Sequence, residues 1–324
     1  MKTYSRALLL TILLIGSFAI AQQSEMRFVI TVIDTGIDMK NETLKKHLCV
    51  NAGETGIDKD GQDKATNGID DDGNGFVDDL HGWSFFDDSK NLQDHHGHGT
   101  HIAGILLKEL TIMKLDSKFC FQILKYYDSD EPSSNLLKAS NDSFKYALEN
   151  KSRLVNYSGG GYSANKEEIK WIQELASKKI PVIAAMGNHK LNTDSNPFYP
   201  ASYDKENIFA VAAADANQLM ATFSNYGKKR FDFLAPGVSI ESYGLNNSRT
   251  FLSGTSQATA KVSALVAYLM YQEITITDWK ELKTNLKNLR AVYANKKQKE
   301  NPIFVDTPYI QKFKTSAVDA FGEP

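Results

Sequence analysis

The sequence predicts an α/β fold in which helices cover both faces of a parallel sheet, and two observations lead to this prediction. Apolar runs rich in β-forming residues recur along the chain, and segments with apolar residues at three- and four-residue spacing lie between some of them. Strands that are apolar at consecutive positions are typical of sheets buried on both faces. Their alternation with amphipathic helices therefore favours a parallel sheet between helical layers.

These two patterns predict the elements in chain order. Continuous apolar runs predict the strands FVITVID (28–34), FCFQILKYY (119–127), RLVNYSGG (153–160), IPVIAAMGN (180–188) and IFAVAAA (208–214). Helical spacing predicts helices over NLLKASNDSFKYALEN (135–150) and NKEEIKWIQELASKK (165–179). Ligands of such sheets bind beyond the carboxyl ends of the strands. Asp34, Ser158 and Asn188, which lie at or after strand ends, are therefore candidates for function.

Length and charge restrict the classes of protein that remain. A chain of 324 residues with 42% hydrophobic content can bury a substantial core, as one large or two modest domains. The net charge of −2 provides no electrostatic basis for binding nucleic acid or an anionic membrane. We therefore expect no nucleic-acid partner.

The first 21 residues have the three parts of a secretory signal. Lys2 and Arg6 precede an apolar run over 7–20, and the stretch ends in Ala19-Ile20-Ala21. An uncleaved anchor is the alternative, but this run is shorter than the roughly 20 residues that a bilayer span needs. We expect cleavage after Ala21 and a secreted or periplasmic protein without a stable membrane anchor.

Export would place the two cysteines where disulfides can form. Cys49 and Cys120 allow at most one intramolecular bridge. Two buried thiols are an equal alternative, because the sequence does not give the distance between the two residues.

The stretch HHGHGTHIAG (95–104) contains four of the seven histidines in the chain. A helical zinc site usually has two histidines four residues apart, as in H-E-x-x-H, and no such pair occurs here. Glycines at 97 and 99 also disfavour a regular helix through His98, and no Cys-x-x-Cys or nearby glutamate completes a ligand set. Zinc is therefore disfavoured.

A catalytic histidine needs a carboxylate that orients it and a nucleophile that it deprotonates. Asp34 ends an apolar strand in VIDTGID, although such a residue alone is usually part of a plain turn. Ser256 lies in SGTSQATA before the apolar run VSALVAYLMY (262–271), where it could also be a helix N-cap. The chain order Asp, His, Ser is that of subtilisin.

The four blocks VIDTGID, HGHGTHIAG, AAMGN and SGTSQATA together resemble the subtilisin-like serine proteases, the subtilase family. Weaker support comes from VNYSGGG (155–161), from 196–227 and from FDFLAPGVSIES (231–242), so that the resemblance runs from about 28 to 270. It implies a three-layer α/β/α fold with a mostly parallel central sheet. We accordingly expect one peptidase domain over 22–324, with the packing of 296–324 left open.

The resemblance also implies the roles of individual residues. Asp34 corresponds to the orienting acid, His98 to the general base and Ser256 to the nucleophile. Asn188 matches the asparagine of the oxyanion hole, whose amide acts with the N–H of Ser256. His101 takes a supporting position on the helix, and the remaining histidines, 95 and 96, are expected to be solvated loop residues.

The segment Ser158-Gly159-Gly160 matches the edge that pairs with the backbone of the substrate, which then adds as an extended strand. Glycines suit this role because they let a second backbone approach closely. The expected partner is therefore a protein or peptide substrate. The oligomeric state, the cleavage-site preference and the physiological substrate are not predicted.

Two departures from the family pattern stand out. Ala260 lies where the family usually has proline, four residues after the serine, and alanine is a good helix former. Secreted subtilases usually carry a long propeptide, whereas only 22–26 separate the expected cleavage site from the first strand. How the chain folds is therefore left open.

Two acidic stretches, DKDGQD (58–63) and NGIDDDGNGFVDD (67–79), precede the histidines. Alternate oxygen donors at Asp70, Asp72 and Asn74, followed by Gly75, repeat the start of an EF-hand loop, but His81 replaces the final glutamate. Subtilases commonly bind calcium. We expect a structural Ca²⁺ with ligands among Asp70, Asp72, Asn74, Phe76, Asp78 and Asp79; a solvated acidic insertion is the alternative.

The leading hypothesis is therefore an exported serine endopeptidase that acts through an acyl-enzyme. An inactive, calcium-dependent binding module with the same fold is the second hypothesis. The serine-carboxyl peptidases, which share a G-T-S block but use a glutamate base, are disfavoured by the intact HGTH (98–101).

Overall fold

A computed structural model describes residues 27–128, 135–272, 278–291 and 303–304 of the chain. The predicted signal peptide and nearly all of 296–324 lie outside the described residues, so these predictions stay untested.

An eight-stranded parallel sheet forms the centre of the molecule. Its strands are β1 (Phe28–Asp34), β2 (Gly82–Ser84), β3 (Phe119–Lys125), β4 (Leu154–Tyr157), β5 (Val182–Ala185), β6 (Ile208–Ala214), β7 (Phe233–Pro236) and β10 (Ile303–Phe304). They are arranged in the order β2-β3-β1-β4-β5-β6-β7-β10. The other two strands, β8 (Ile240–Tyr243) and β9 (Arg249–Leu252), form an antiparallel hairpin.

Helices cover both faces of the sheet. The described helices are α1 (Glu42–Lys45), α2 (His98–Ile112), α3 (Leu136–Glu149), α4 (Lys166–Ser177), α5 (Thr255–Tyr271) and α6 (Trp279–Ala291). Helices α2, α5 and α6 pack in one hydrophobic core, and α3 and α4 pack in the other. The predicted fold, an α/β/α sandwich around a mostly parallel sheet, is confirmed.

The predicted elements agree with the described ones except at their ends. The strand expected over 153–160 ends at Tyr157, and the strand expected over 180–188 ends at Ala185. Glycines follow both strands, and Gly160 and Gly187 have positive φ angles of 151° and 94°. The chain therefore leaves the sheet there and forms loops at its carboxyl edge.

Cys49 and Cys120 are joined by a disulfide, which connects the chain after α1 to β3 across 71 residues.

Ala260 is fully buried within α5, which runs without interruption from Thr255 to Tyr271. Among the helices of the described residues, none combines the length and apolar character needed to cross a membrane.

Candidate active site

Asp34 and His98 are in direct contact at the carboxyl edge of the sheet. Asp34 is the last residue of the central strand β1 and is 2% exposed. His98 is the first residue of α2, so a helix begins here although the glycines at 97 and 99 disfavour one. Its Nδ1 lies 2.7 Å from Oδ1 of Asp34. Because an ionised carboxylate only accepts hydrogen bonds, we assign the proton to Nδ1. This tautomer leaves Nε2 of His98 as an acceptor.

The surroundings of His98 raise its pKa above the ordinary value of 6.5. Burial alone would lower this pKa, but the negative charge of Asp34 and its hydrogen bond to the ring outweigh that effect. The charge of Asp94 acts in the same direction. The imidazolium form is therefore stabilised, as a base that accepts a proton during a reaction requires.

Asp94 holds the start of α2 in place, and the sequence analysis did not find it. One of its oxygens accepts hydrogen bonds from the Thr35 hydroxyl and the N–H of Gly97, and the other from the N–H and hydroxyl of Thr100. Gly97 has φ +89°, which turns the chain sharply before His98. An aspartate just ahead of a helix was the available signal.

Ser256 lies in the first turn of α5, beside the end of β4. Its Oγ donates a hydrogen bond to the carbonyl of Ser158 at 2.8 Å. Ile33 of β1 is paired with Tyr157 of β4, so the next residues, Asp34 and Ser158, lie side by side. Neighbouring strands are about 4.8 Å apart. The serine and the Asp34–His98 pair thus share one edge of the sheet.

The described residues contain no hydrogen bond between Ser256 and His98, because the hydroxyl of Ser256 is directed to Ser158. Rotation about χ1 of Ser256 would break this hydrogen bond and direct Oγ away from Ser158. Staggered rotamers of serine are close in energy, so this reorientation is inexpensive.

Asn188 follows β5 and contacts the start of α5. Its Oδ1 accepts hydrogen bonds from the N–H of Thr255 at 2.8 Å and from the Thr255 hydroxyl at 3.0 Å. These two donors fix the orientation of the amide, so Nδ2 is directed away from Thr255. The N–H of Ser256 is one of the first four in the helix, which lack intrahelical acceptors. Two donors, Nδ2 of Asn188 and the N–H of Ser256, thus lie at the start of α5.

The segment that follows β4 offers an unpaired backbone. Gly159 and Gly160 form no backbone hydrogen bond within the described part of the chain, and Gly160 is exposed. The next residue, Gly161, pairs with Tyr199 through two hydrogen bonds of 2.9 and 2.7 Å. Gly160 can carry no side chain, since a Cβ there would lie 2.3 Å from the carbonyl oxygen of Tyr199.

The other histidines of the cluster have separate environments. His101 is fully buried in α2, and its Nε2 faces the carbonyls of Ile240 and Thr250 at 3.1 and 3.3 Å. His95 pairs with Asp128 at 3.0 Å, with about half of its side chain exposed. The ring of His96 lies edge-on to that of His98, 6.1 Å between centroids, at the surface.

The structure separates the expected calcium ligands. Asp70 and Asp72 approach each other, whereas Asp78 forms an ion pair with Lys90 at 2.6 Å. Asp79 is fully buried and accepts hydrogen bonds from the side chains of Asn51, Asn74 and Tyr146. The Asn74 oxygen accepts the N–H of Phe76, and the Phe76 ring packs against Trp83, Phe85 and Tyr146.

Glu54 completes a cluster with Asp70 and Asp72 that the sequence did not reveal. One carboxylate oxygen from each of the three residues lies within 4.8 Å of the others. Glu54 is fully buried, and its Oε2 has no hydrogen-bond partner among the described residues. Burial, and then the charges of Asp72 and Asp79, raise the pKa of Glu54 above 4.5, although the N–H groups of 71 and 72 partly offset this. A hard cation would fit this oxygen cluster.

A family profile and individual relatives match large parts of this chain. A sequence profile of the subtilase family matches residues 26–306. The "Thermophilic serine proteinase" of Bacillus sp. (strain AK1) is 34% identical over 195 residues, which is 60% of this chain and 47% of that protein. "Subtilisin DY" of Bacillus licheniformis is 30% identical over 200 residues, 60% of this chain and 71% of that protein. The match thus spans about half of the first of these relatives.

Two solved structures share the fold. A cold adapted subtilisin-like serine proteinase superposes with a TM-score of 0.63 at 21% identity, covering 86% of this chain and 88% of its own. A lanthipeptide protease superposes with a TM-score of 0.64 at 17% identity, covering 89% and 87%.

Proposed function

Because the chain belongs to the subtilase family, we propose that it is an exported serine endopeptidase that cleaves peptide bonds with Asp34, His98 and Ser256. The observation that carries the proposal is the 2.7 Å contact between Asp34 and His98 beside the first turn of α5. The N-terminal signal, with a mature chain that starts at or near Gln22, belongs to the same proposal.

In the first half of the reaction, the Ser256 hydroxyl turns from the Ser158 carbonyl to Nε2 of His98. Oγ then attacks the carbonyl carbon of the peptide while its proton passes to Nε2. The resulting imidazolium is stabilised by the buried carboxylate of Asp34. The negative charge on the substrate oxygen is stabilised by the N–H of Ser256 and by Nδ2 of Asn188.

In the second half, His98 returns the proton to the leaving amine, and the C–N bond breaks to give an acyl-enzyme on Ser256. A water molecule then gives its proton to His98 and attacks the ester. His98 finally returns this proton to Oγ, which restores the free serine and releases the carboxylic acid. The unpaired backbone of Gly159 and Gly160 would hold the peptide as an added strand.

Labelling with a fluorophosphonate probe tests the proposal against the binding-module alternative. A nucleophilic Ser256 should react with the probe, and mass spectrometry of the labelled peptide should place the adduct on that residue. Folded wild-type protein that does not react and does not hydrolyse casein would favour the inactive binding module.

The pH–rate profile of kcat/KM should rise with pH through an apparent pKa above 6.5. His98 acts as base only when neutral, and its pKa in the folded protein is raised by Asp34 despite burial. Activity is therefore low below this pKa and reaches a plateau above it. Rates on a fluorogenic peptide between about pH 5 and 9 provide the measurement. A flat profile over that range would contradict the assignment of His98 as base.

We also propose that the acidic insertion holds a structural calcium ion. The buried, unpartnered Oε2 of Glu54 and the neighbouring carboxylates of Asp70 and Asp72 support this. Three protein oxygens are fewer than the six to eight that calcium prefers, so further ligands must come from backbone carbonyls or water. The cation would neutralise three carboxylates that otherwise repel one another, of which Glu54 is buried, Asp70 half-buried and Asp72 exposed.

Chelation should lower the thermal midpoint by roughly 5 °C and increase proteolytic nicking between Asp58 and Asp79, and added calcium should reverse both effects. The loss should shrink as the pH falls towards the raised pKa of Glu54, because protonation removes the unpaired charge. Differential scanning calorimetry with and without EDTA provides the measurement.

Replacing Glu54 by glutamine separates a metal ligand from a merely buried acid. The variant should lose the calcium-dependent shift, while its midpoint in EDTA stays equal to or above that of the wild type. Asp60→Asn is the matched control, since Asp60 is an exposed acid of the same insertion outside the cluster. If metal-free wild-type protein has the same melting curve with and without calcium, the insertion is a solvated loop that binds no calcium.

A further inference from the structure

A cavity of about 560 Å³ lies next to the segment proposed to pair with the substrate backbone. Gly160 and Gly161 form part of its wall, and the remainder comes from the chain after β3, from α3, from the end of β4, from the loop before α4, from α4 itself and from Tyr199. A peptide bound along Gly159 and Gly160 would therefore direct one of its side chains into this cavity. The following inference rests on the proposed function and names a substrate class for it.

Glu168 of α4 supplies the charge in the cavity. The residue is 3% exposed, and one of its carboxylate oxygens accepts a hydrogen bond from the Tyr203 hydroxyl at 2.6 Å. Neither lysine nor arginine lines the cavity, and no salt bridge to Glu168 occurs within the described residues. Burial raises the pKa of this carboxyl to about 7. The cavity therefore contains an acid without a counter-charge.

Tyrosine rings and leucines line much of the remaining wall. Tyr126, Tyr157 and Tyr199 line the cavity with Leu136 and Leu137 from α3. Burial raises the pKa of Tyr126, and the negative charges of Asp34 and Glu168 raise it further. The negative charges of Asp34 and Glu168 therefore both act on the Tyr126 wall of the cavity.

A buried acid within an apolar and aromatic wall fits a long basic side chain. Lysine and arginine carry a long apolar stem, which leucines and aromatic rings can cover, and a cationic head. The faces of tyrosine rings attract such a cation, and a buried carboxylate pairs with it. An aliphatic substrate side chain would leave the charge of Glu168 buried and unpaired, which is costly. We propose that the cavity binds a basic side chain of the peptide substrate and that Glu168 is the acceptor for its charge.

The preference of the cavity for a positive charge can be tested with alanine octapeptides that carry a single arginine or its neutral isostere citrulline. They are quenched fluorescent substrates, assayed at about pH 8, where a carboxyl with a pKa near 7 is ionised. The arginine peptides should be cleaved at a fixed distance from the arginine. At that position, kcat/KM for arginine should exceed that for citrulline by about tenfold or more, the effect of a charge-assisted hydrogen bond.

Glu168→Gln should reduce the arginine-to-citrulline ratio to about one, because the amide keeps the acceptor for Tyr203 but lacks the charge. Glu167→Gln should leave the ratio unchanged, since Glu167 is the exposed neighbour on α4 and does not line the cavity. If Glu168→Gln does not fold, the comparison of the arginine and citrulline peptides on the wild type alone decides whether the cavity prefers a positive charge.

A ratio near one at every position, or a tenfold ratio that survives in Glu168→Gln, would overturn the inference. Cleavage without preference would leave the proposed protease function intact. If the wild type cleaves no peptide and is not labelled by fluorophosphonate, the proposed function fails separately. Calorimetry then measures the affinity of the Ser256→Ala variant for the same two peptides. Tighter binding of the arginine peptide would indicate a cationic ligand, and equal affinities would indicate a neutral one.

Discussion

Ser256→Ala should lower peptide hydrolysis by about 10⁶-fold while the protein stays folded. The substitution removes the Oγ that we propose as the nucleophile. Among the described residues, it removes one hydrogen bond of the Ser256 side chain, to the carbonyl of Ser158. The thermal midpoint should therefore stay close to that of the wild type. Single-turnover hydrolysis of a fluorogenic peptide and a melting curve together provide the measurement.

The double variant Ser256→Ala, His98→Ala should be no slower than either single variant, because nucleophile and base act as one unit. Ser263→Ala is a matched control: this serine is buried in the same helix, and its hydroxyl bonds to Asn156. The control should keep fluorophosphonate labelling. Wild-type turnover by Ser256→Ala would show that the nucleophile is another residue.

Asn188→Ala should lower kcat by about 10²–10³-fold with little change in KM. In the proposed mechanism, Nδ2 of Asn188 donates to the charge that develops on the substrate oxygen, so its contribution would be made in the transition state. The ground-state complex does not depend on it. Steady-state kinetics on one peptide separate the two constants.

Two further variants distinguish the loss of the hydrogen-bond donor of Asn188 from the loss of its packing. Asn188→Asp keeps an acceptor for the N–H and hydroxyl of Thr255 but has no donor, so it should be at least as slow as the alanine variant. Asn196→Ala, at an exposed asparagine of the loop before β6, should be as active as the wild type. A rise in KM with unchanged kcat would indicate a role in substrate binding instead.

The fold was predictable because the central strands are apolar at most consecutive positions. Burial on both faces leaves a pattern that only a parallel sheet between helices produces, and β1 and β6 match their predicted bounds. The strand ends near Ser158 and Asn188 were less predictable. Apolar and small residues continue past them, and only the glycines mark where the backbone turns away.

Residues that act through distant contacts were not predictable. Glu54 meets Asp70 and Asp72 only because the insertion folds back on itself, and no spacing in the sequence encodes that approach. Glu168 is one acid among several on an amphipathic helix, and its burial depends on Tyr203, 35 residues away. The disulfide was undecided for the same reason, since it requires the pairing of separate segments.

The position of this disulfide determines what a cut in the acidic insertion can do. Cys49 precedes the stretch between Asp58 and Asp79, and Cys120 follows it, so the bridge encloses every bond in that stretch. A nicked molecule therefore stays a single covalent unit and divides into two fragments only after reduction. Asp34 lies on one fragment, and His98 lies on the other with Ser256. The bridge keeps Asp34 and His98 in one molecule even after the chain between them has been severed.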